Sequence, residues 1–145
     1  MAHVKKSVLV GYAAQQMFIL IDQVELYPEF LPWCGGTEVK WRDETATLAM
    51  IKIDYLGIKQ SFTTENTKYF PSLIEMKLQD GPFTHLDGSW RFIELDVDAC
   101  KIEFDLHYEF SSKMLEKVVG PVFSHIANSF VDAFVRRADK VYSGL

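Results

Sequence analysis

The clearest pattern of apolar and polar positions lies at the C-terminal end, where Gly120–Leu145 reads GPVFSHIANSFVDAFVRRADKVYSGL. Val119, Phe123, Ile126, Phe130, Phe134 and Val141 recur there at spacings of three, four or seven. At about 100° per residue they fall on one stripe of a helix. Asp132, Arg136, Asp139 and Lys140 fall on the opposite side. Pro121 suits the first helical position, where its missing N–H leaves no bond unmade. A helix with phenylalanines along one face needs a broad apolar surface to lie against.

The preceding chain has the pattern of such a surface. Ile102, Phe104, Leu106, Tyr108 and Phe110 alternate with Glu103, Asp105, His107 and Glu109. One face is apolar and the other acidic, as in an antiparallel strand with one side in water. Val4–Val10, Thr37–Arg42, Thr45–Tyr55, Ile58–Phe70, Leu73–Gln79 and Leu86–Leu95 read as further strands. Asp43-Glu44, Gly57, Pro71-Ser72, Asp80-Gly81-Pro82-Phe83 and Asp96–Ala99 punctuate them. Ala14, Met17, Phe18, Ile21 and Val24 are spaced for a short helix over Ala13–Val24, with Ala13 a weak N-cap. Tyr27–Cys34 is limited by Pro28 and Pro32 to one helical turn and a bend, and Gly35-Gly36 ends it. Lys113–Val119 starts a helical turn that leads into Gly120-Pro121.

The order is strand, short helix, about six strands, long helix, in a single domain over 1–145. Short connections make the sheet antiparallel, and a sheet of six to seven strands twists and curls. The predicted fold is α+β, with a curved sheet wrapped around the terminal helix. A curled sheet gripping one helix encloses more volume than side chains fill. A binding cavity is therefore the first functional expectation.

Composition narrows this picture. A chain of 145 residues can bury a core without staples. The net charge of −5 disfavours a general polyanion binder, and DNA is not an expected partner. Cys34 and Cys100 lie far apart and read as idle thiols in a reducing compartment. Lys5-Lys6 before Val8-Leu9-Val10 loosely mimics a signal peptide, but Gly11-Tyr12 and Gln15-Gln16 interrupt the run. No stretch approaches the length of a bilayer span. The expectation is a soluble, cytoplasmic protein, with transient peripheral contact at the inner membrane left open.

Several fragments occur together in order: Tyr27-Pro28-x-Phe30-Leu31-Pro32-Trp33-Cys34, Asp80-Gly81-Pro82-Phe83, Gly88-x-Trp90-x-Phe92, Ala99-Cys100-x-Ile102-x-Phe104 and Ala133-Phe134-x-x-Arg137-Ala138. In these the chain resembles the START-like (Bet v 1-like) helix-grip family that includes coenzyme Q-binding proteins and bacterial ribosome-association toxins. The short form without a leader resembles the bacterial branch. Ala13 departs from the polar residue that often opens the first helix there. The resemblance implies a hydrophobic tunnel between sheet and terminal helix that holds ubiquinone or a similar lipid, with no cofactor required. It also implies a second role, binding the large ribosomal subunit and blocking subunit joining.

The candidate ligand-binding residues are Phe30, Trp33, Met76, Leu78, Phe83, Leu86, Trp90, Phe92, Phe104, Leu106, Tyr108, Phe123, Ile126, Phe130, Phe134 and Arg137. Singly, Met76, Trp90, Phe104 and Tyr108 read as core; as a set, with eleven phenylalanines in the chain, they favour a lined cavity. Tyr108 and Trp90 offer a phenol and an indole N–H to a quinone carbonyl, or to the backbone. Phe83 beside its turn can gate a pocket, dip into a membrane or fold back onto the helix. Arg137 falls within the apolar stripe. It must find a carboxylate, for which the sheet is the expected source, or snorkel to water near the helix end; its functional readings are the polar end of the tunnel or a ribosomal RNA contact.

Catalytic chemistry finds no foothold. Cys34 has no base nearby in sequence, and His107 and His125 lack the spacing of metal ligands. HExxH, GxSxG, Walker A and GxGxxG patterns are absent. The expected function is a non-enzymatic carrier or chaperone for a hydrophobic ligand, supporting respiration. The ribosome-binding toxin is the alternative. A polyketide cyclase-like enzyme is the third reading and needs acid–base groups inside the cavity.

Overall fold

The alternation over 102–110 forms the strand it predicts. In a computed structural model, which describes residues 1–143, Ile102, Phe104, Leu106, Tyr108 and Phe110 are all buried on one face. The elements in order are β1 (Ala2–Val10), α1 (Ala14–Asp22), a 3-10 segment (Val24–Glu29), β2 (Cys34–Arg42), β3 (Ala46–Tyr55), β4 (Ile58–Tyr69), β5 (Leu73–Asp80), β6 (Phe83–Asp96), β7 (Ala99–Phe110) and α2 (Lys113–Tyr142). Gly144 and Leu145, the end of the predicted terminal stretch, lie outside the described residues.

The sheet has seven strands in the order β1-β7-β6-β5-β4-β3-β2. Every pairing is antiparallel. Strands β2 to β7 form a meander because each hairpin connection is short. β1 joins the far edge beside β7, so α1 and the 3-10 segment carry the chain from one sheet edge to the other. Register shifts interrupt β2–β3, β4–β5 and β6–β7. Such bulges bend strands and increase twist, which fits the curl of the sheet around α2.

Several boundaries differ from expectation for identifiable reasons. α1 stops at Asp22, not Val24, because Gln23 leaves helical geometry (φ −81°, ψ 65°) and a 3-10 segment follows. Ala13 has no capping side chain, but Gln16 Oε1 accepts from its N–H at 2.9 Å. β2 begins at Cys34, so Gly35-Gly36 opens a strand at a bulge instead of ending the Pro-limited segment.

The largest correction concerns α2. It starts at Lys113, where the Ser112 hydroxyl accepts from Leu115 N–H at 3.1 Å, and runs unbroken through Gly120-Pro121. Pro121 is therefore interior, not the first helical residue. It removes one backbone bond on the exposed side of the helix, where water can serve the orphaned carbonyl. The helix of 30 residues is also long and apolar enough to cross a membrane by length and composition, contrary to the sequence expectation. Here its apolar face lies inside the fold, with Val119, Phe123, Ile126, Ala127, Val131, Phe134 and Ala138 buried. Ala138, one turn beyond Phe134, takes the place expected for Val141, which is 47% exposed.

Candidate functional site

Between the concave sheet face and α2 lies a cavity of ≈ 50 Å³. That is room for a few waters, not for a lipid head group. Strand alternation determines its lining: Phe62, Thr64 and Asn66 from β4, Leu86 and Trp90 from β6, and Phe104 and Leu106 from β7 point the same way. Ile51 from β3 and Met76 from β5 add to this face. Phe123, Ile126, Ala127 and Phe130 form the α2 wall, and Val24, Tyr27 and Trp33 close one end. Gly88 lies between Leu86 and Trp90, opposite Met76. A Cβ there would come within 2.6 Å of the Asp105 carbonyl oxygen and 3.1 Å of Met76 Cε. Glycine is what lets Met76 lie along the inner face.

Of the candidate residues, Trp33, Met76, Leu86, Trp90, Phe104, Leu106, Phe123, Ile126 and Phe130 come together at this cavity. Phe30, Leu78, Phe83, Phe92, Tyr108, Phe134 and Arg137 lie outside its lining. Phe83 folds back onto the helix, its ring centroid 5.1 Å from Phe123. The preceding Gly81 allows this turn, since a Cβ there would lie 2.7 Å from Phe62 Cβ. Tyr108 also packs against Phe123, at 4.7 Å, and lies 6.2 Å from Phe83. Burial pushes the Tyr108 phenol up, and a hydrogen bond with Ser124 opposes the shift. Phe92 meets Phe18 of α1 at 5.7 Å. Phe134 is enclosed by Tyr27, Phe30 and Trp90 at 5.2–5.4 Å. Leu78 is half-buried toward the end of β5.

Arg137 does not reach the cavity. Its Nη2 donates to Glu29 Oε1 at 3.0 Å, and its guanidinium stacks 4.8 Å above the Phe30 ring. The expected ion pair is present, but its carboxylate comes from the 3-10 segment, not the sheet. The Arg137 side chain is 11% exposed and its Nε has no partner among the described residues. It fastens α2 to the segment that closes the cavity end.

That segment is held from the other side as well. Arg42 donates to both Glu25 oxygens, at 2.6 and 3.2 Å, and to the Asp22 carbonyl at 2.9 Å. The Arg42 hydrogen bond holds the Glu25 carboxyl below its ordinary range. Lys68 Nζ reaches Asp22 Oδ2 at 3.3 Å with its side chain only 5% exposed. Tyr27 OH donates to the Ile21 carbonyl at 2.5 Å, and burial pushes that phenol strongly up.

Sequence reasoning missed Val24, Tyr27, Ile51, Phe62, Thr64, Asn66 and Ala127. Thr64 and Asn66 matter most, because they are a polar couple in an apolar lining. Thr64 Oγ1 donates to Asn66 Oδ1 at 2.8 Å, a bond that does not use the Asn66 NH2 hydrogens. Among the described residues, none in the lining carries a carboxylate, imidazole, ammonium or guanidinium group. Cys34 and Cys100 are buried free thiols, and burial pushes both up, away from the reactive thiolate.

Comparison with known proteins places this architecture. The family described as polyketide cyclase/dehydrase and lipid transport matches residues 10–135. A Vibrio cholerae protein named ribosome association toxin RatA is 44% identical, over 98% of this chain and 99% of that one. The Pseudomonas aeruginosa protein of the same name is 39% identical, over 97% of each. A mitochondrial coenzyme Q-binding protein homolog from Xenopus laevis is 24% identical, over 94% of this chain and 58% of its own length. Among solved structures, the Zhui aromatase/cyclase of Streptomyces superposes with a TM-score of 0.84 at 14% identity, over 99% of this chain and 98% of that one. A START superfamily protein from Mycobacterium smegmatis gives 0.73 at 23%, over 96% and 98%. At those identities the structures speak for the fold alone. The full-length relatives and the family match together show that the chain belongs to the polyketide cyclase/dehydrase and lipid transport family.

Proposed function

We propose that this protein holds a hydrophobic ligand, a quinone or related lipid, between sheet and α2, and acts as a carrier or chaperone supporting respiration. The observation that carries the reading is a partly enclosed apolar cavity whose exceptions include one donor-bearing couple, Thr64 and Asn66. The Asn66 amide is suited to a quinone carbonyl, and the surrounding rings to an isoprenoid tail. Among the described residues the lining holds no carboxylate, imidazole, ammonium or guanidinium group, and its Tyr27 phenol is engaged by the Ile21 carbonyl, which favours a carrier over a cyclase-like enzyme. The coenzyme Q-binding name of the Xenopus relative supports the same ligand class. A cytoplasmic protein with brief inner-membrane contact is the matching location for a quinone carrier. The cavity of ≈ 50 Å³ must expand to admit such a ligand. The test is to purify the protein from a quinone-producing host, extract it with organic solvent and analyse the extract by mass spectrometry. Quinone above a control protein, depleted in Asn66→Leu, is expected. No recovered lipid, together with no binding of added quinone, would overturn the reading.

A second reading rests on the full-length relatives named ribosome association toxin. It is that the protein binds the large ribosomal subunit and blocks subunit joining. The net charge of −5 makes a broad RNA contact unfavourable, so such binding would need a local basic surface. Overexpression followed by sucrose-gradient profiles decides: fewer joined ribosomes would support it, and unchanged profiles would remove it.

A further inference from the structure

The outer face of the sheet carries a side-chain cluster unrelated to the cavity. His3 on β1 and His107 on β7 are direct partners in the antiparallel register. Both imidazoles therefore leave the same face, and their rings stack with centroids 4.0 Å apart. Asp105 lies two residues along β7 on that face. Its Oδ1 is 2.6 Å from His3 Nε2 and 3.7 Å from His107 Nδ1. One ligand atom from each residue lies within 4.8 Å of the other two. All three side chains remain open to water.

We infer that His3, Asp105 and His107 form a binding site for a transition-metal dication of the zinc type. Two imidazole nitrogens and one carboxylate oxygen are the donors that borderline metals take, whereas calcium and magnesium favour oxygen alone. Donors bound at about 2.0–2.2 Å must sit roughly 3–4 Å from one another, a spacing these atoms are near, and the rings, stacked within 17° of parallel, must tilt toward each other to aim both lone pairs at one ion. The three residues stand on paired strands, not on loops, which limits the ordering cost of binding. The local field also favours a cation. Glu103 and Glu109 flank the site on β7 and Asp87 faces His107 from β6, while Lys5 opposite Asp105 opposes them. Three protein ligands leave a coordination position for water. The bound metal would tie edge strand β1 to β7. Sequence spacing conceals this site because His3 and Asp105 are 102 positions apart.

The test uses the tag-free full chain, stripped with a chelator and titrated with Zn²⁺ against a chromophoric competitor. One Zn²⁺ per chain at micromolar affinity is expected. Binding should weaken at least about tenfold in His3→Ala and in His107→Ala and stay unchanged in His125→Ala. Zn²⁺ should shift the side-chain NMR signals of His3 and His107, leave those of His125 in place, and raise the Tm of the wild type but not of His107→Ala. An unbound wild type at high micromolar Zn²⁺ overturns the inference. So does undiminished binding in a folded His3→Ala/His107→Ala double variant.

Discussion

Phe130 and Phe134 occupy successive turns of α2 but differ in what stands behind their rings, and truncating each to alanine separates cavity wall from core. Phe134 is 0% exposed and packed on all sides. Phe130 touches Trp33 at 5.4 Å, Phe104 at 5.9 Å and Trp90 at 6.0 Å, yet also borders the cavity. Losing a phenyl ring leaves roughly 100 Å³, and at about 24 cal/mol per Å³ that void costs about 2.4 kcal/mol before the transfer free energy. For Phe134 both contributions apply, giving about 4–5 kcal/mol. For Phe130 the side facing empty space has no partner atoms to lose, so about 2–3 kcal/mol is expected. The Phe130→Ala void also merges with the existing cavity to reach about 150 Å³, a size at which an apolar cavity accepts benzene. Urea unfolding measures both losses, read as midpoint shifts at constant m. Benzene should raise the Tm of Phe130→Ala but not of the wild type. A loss at Phe130 equal to that at Phe134, with no benzene effect, would refute the placement of this ring at a void.

Three further outcomes follow from the side-chain network. Arg137→Met keeps the stem over Phe30 and removes an Nε with no partner, so its stability in urea should stay within about 1 kcal/mol of wild type, while Arg137→Ala loses about 1–2 kcal/mol; equal losses would show that the Glu29 bond, not the stem, dominates. Because Glu25 titrates below its ordinary value of 4.5 in the folded chain, its pairing with Arg42 adds stability that is complete above that pH and lost as pH falls through the folded value. Glu25→Gln should therefore flatten the acid limb of Tm against pH, and an unaltered limb would contradict the assignment. Cys34 and Cys100 should resist a thiol reagent at neutral pH in the native state and react together on unfolding; fast native labelling would show that burial does not protect them.

The elements were legible where one physical influence dominated. β7 alternates cleanly because one face meets the core and the other meets water, and the α2 stripe repeats because that helix buries one side. Legibility failed where two influences compete. Pro121 carries the mark of a helix start, but the Ser112 cap and the apolar turn at Val119 extend the helix past it. Thr64 and Asn66 face inward, yet their polarity imitates a solvent face, so the β4 wall of the cavity was invisible to an apolar pattern. Arg137 was read correctly as needing a carboxylate. Its partner could not be named, because Glu29 is 108 positions away and reaches it only through the 3-10 closure. His3 and His107 show the same limit: strand pairing, not spacing, makes them neighbours.

If a lipid binds here, the bonding pattern dictates which wall gives way. Strands β3 to β7 are joined by backbone ladders. Widening the sheet would strand donors and acceptors against apolar surroundings, each at about 1–3 kcal/mol. α2 is attached by side chains instead. Its C-terminal half is fastened by Arg137 to Glu29, by Tyr12 OH to Asp139 at 2.6 Å and by Tyr142 OH to the Gln16 carbonyl at 2.7 Å. Its first turns are held less: Met114 and Val118 are 76% and 56% exposed. Pro121 also removes a backbone bond between the two halves. Opening therefore asks least of the N-terminal part of α2, and the cavity ring it uncovers first is Phe123. Apolar area buried by the ligand offsets that opening at about 25 cal/mol per Å². A bare quinone head buries little, whereas an isoprenoid tail buries progressively more. A resting cavity this small is thus consistent with a carrier that favours long-tailed lipids over small aromatic solutes.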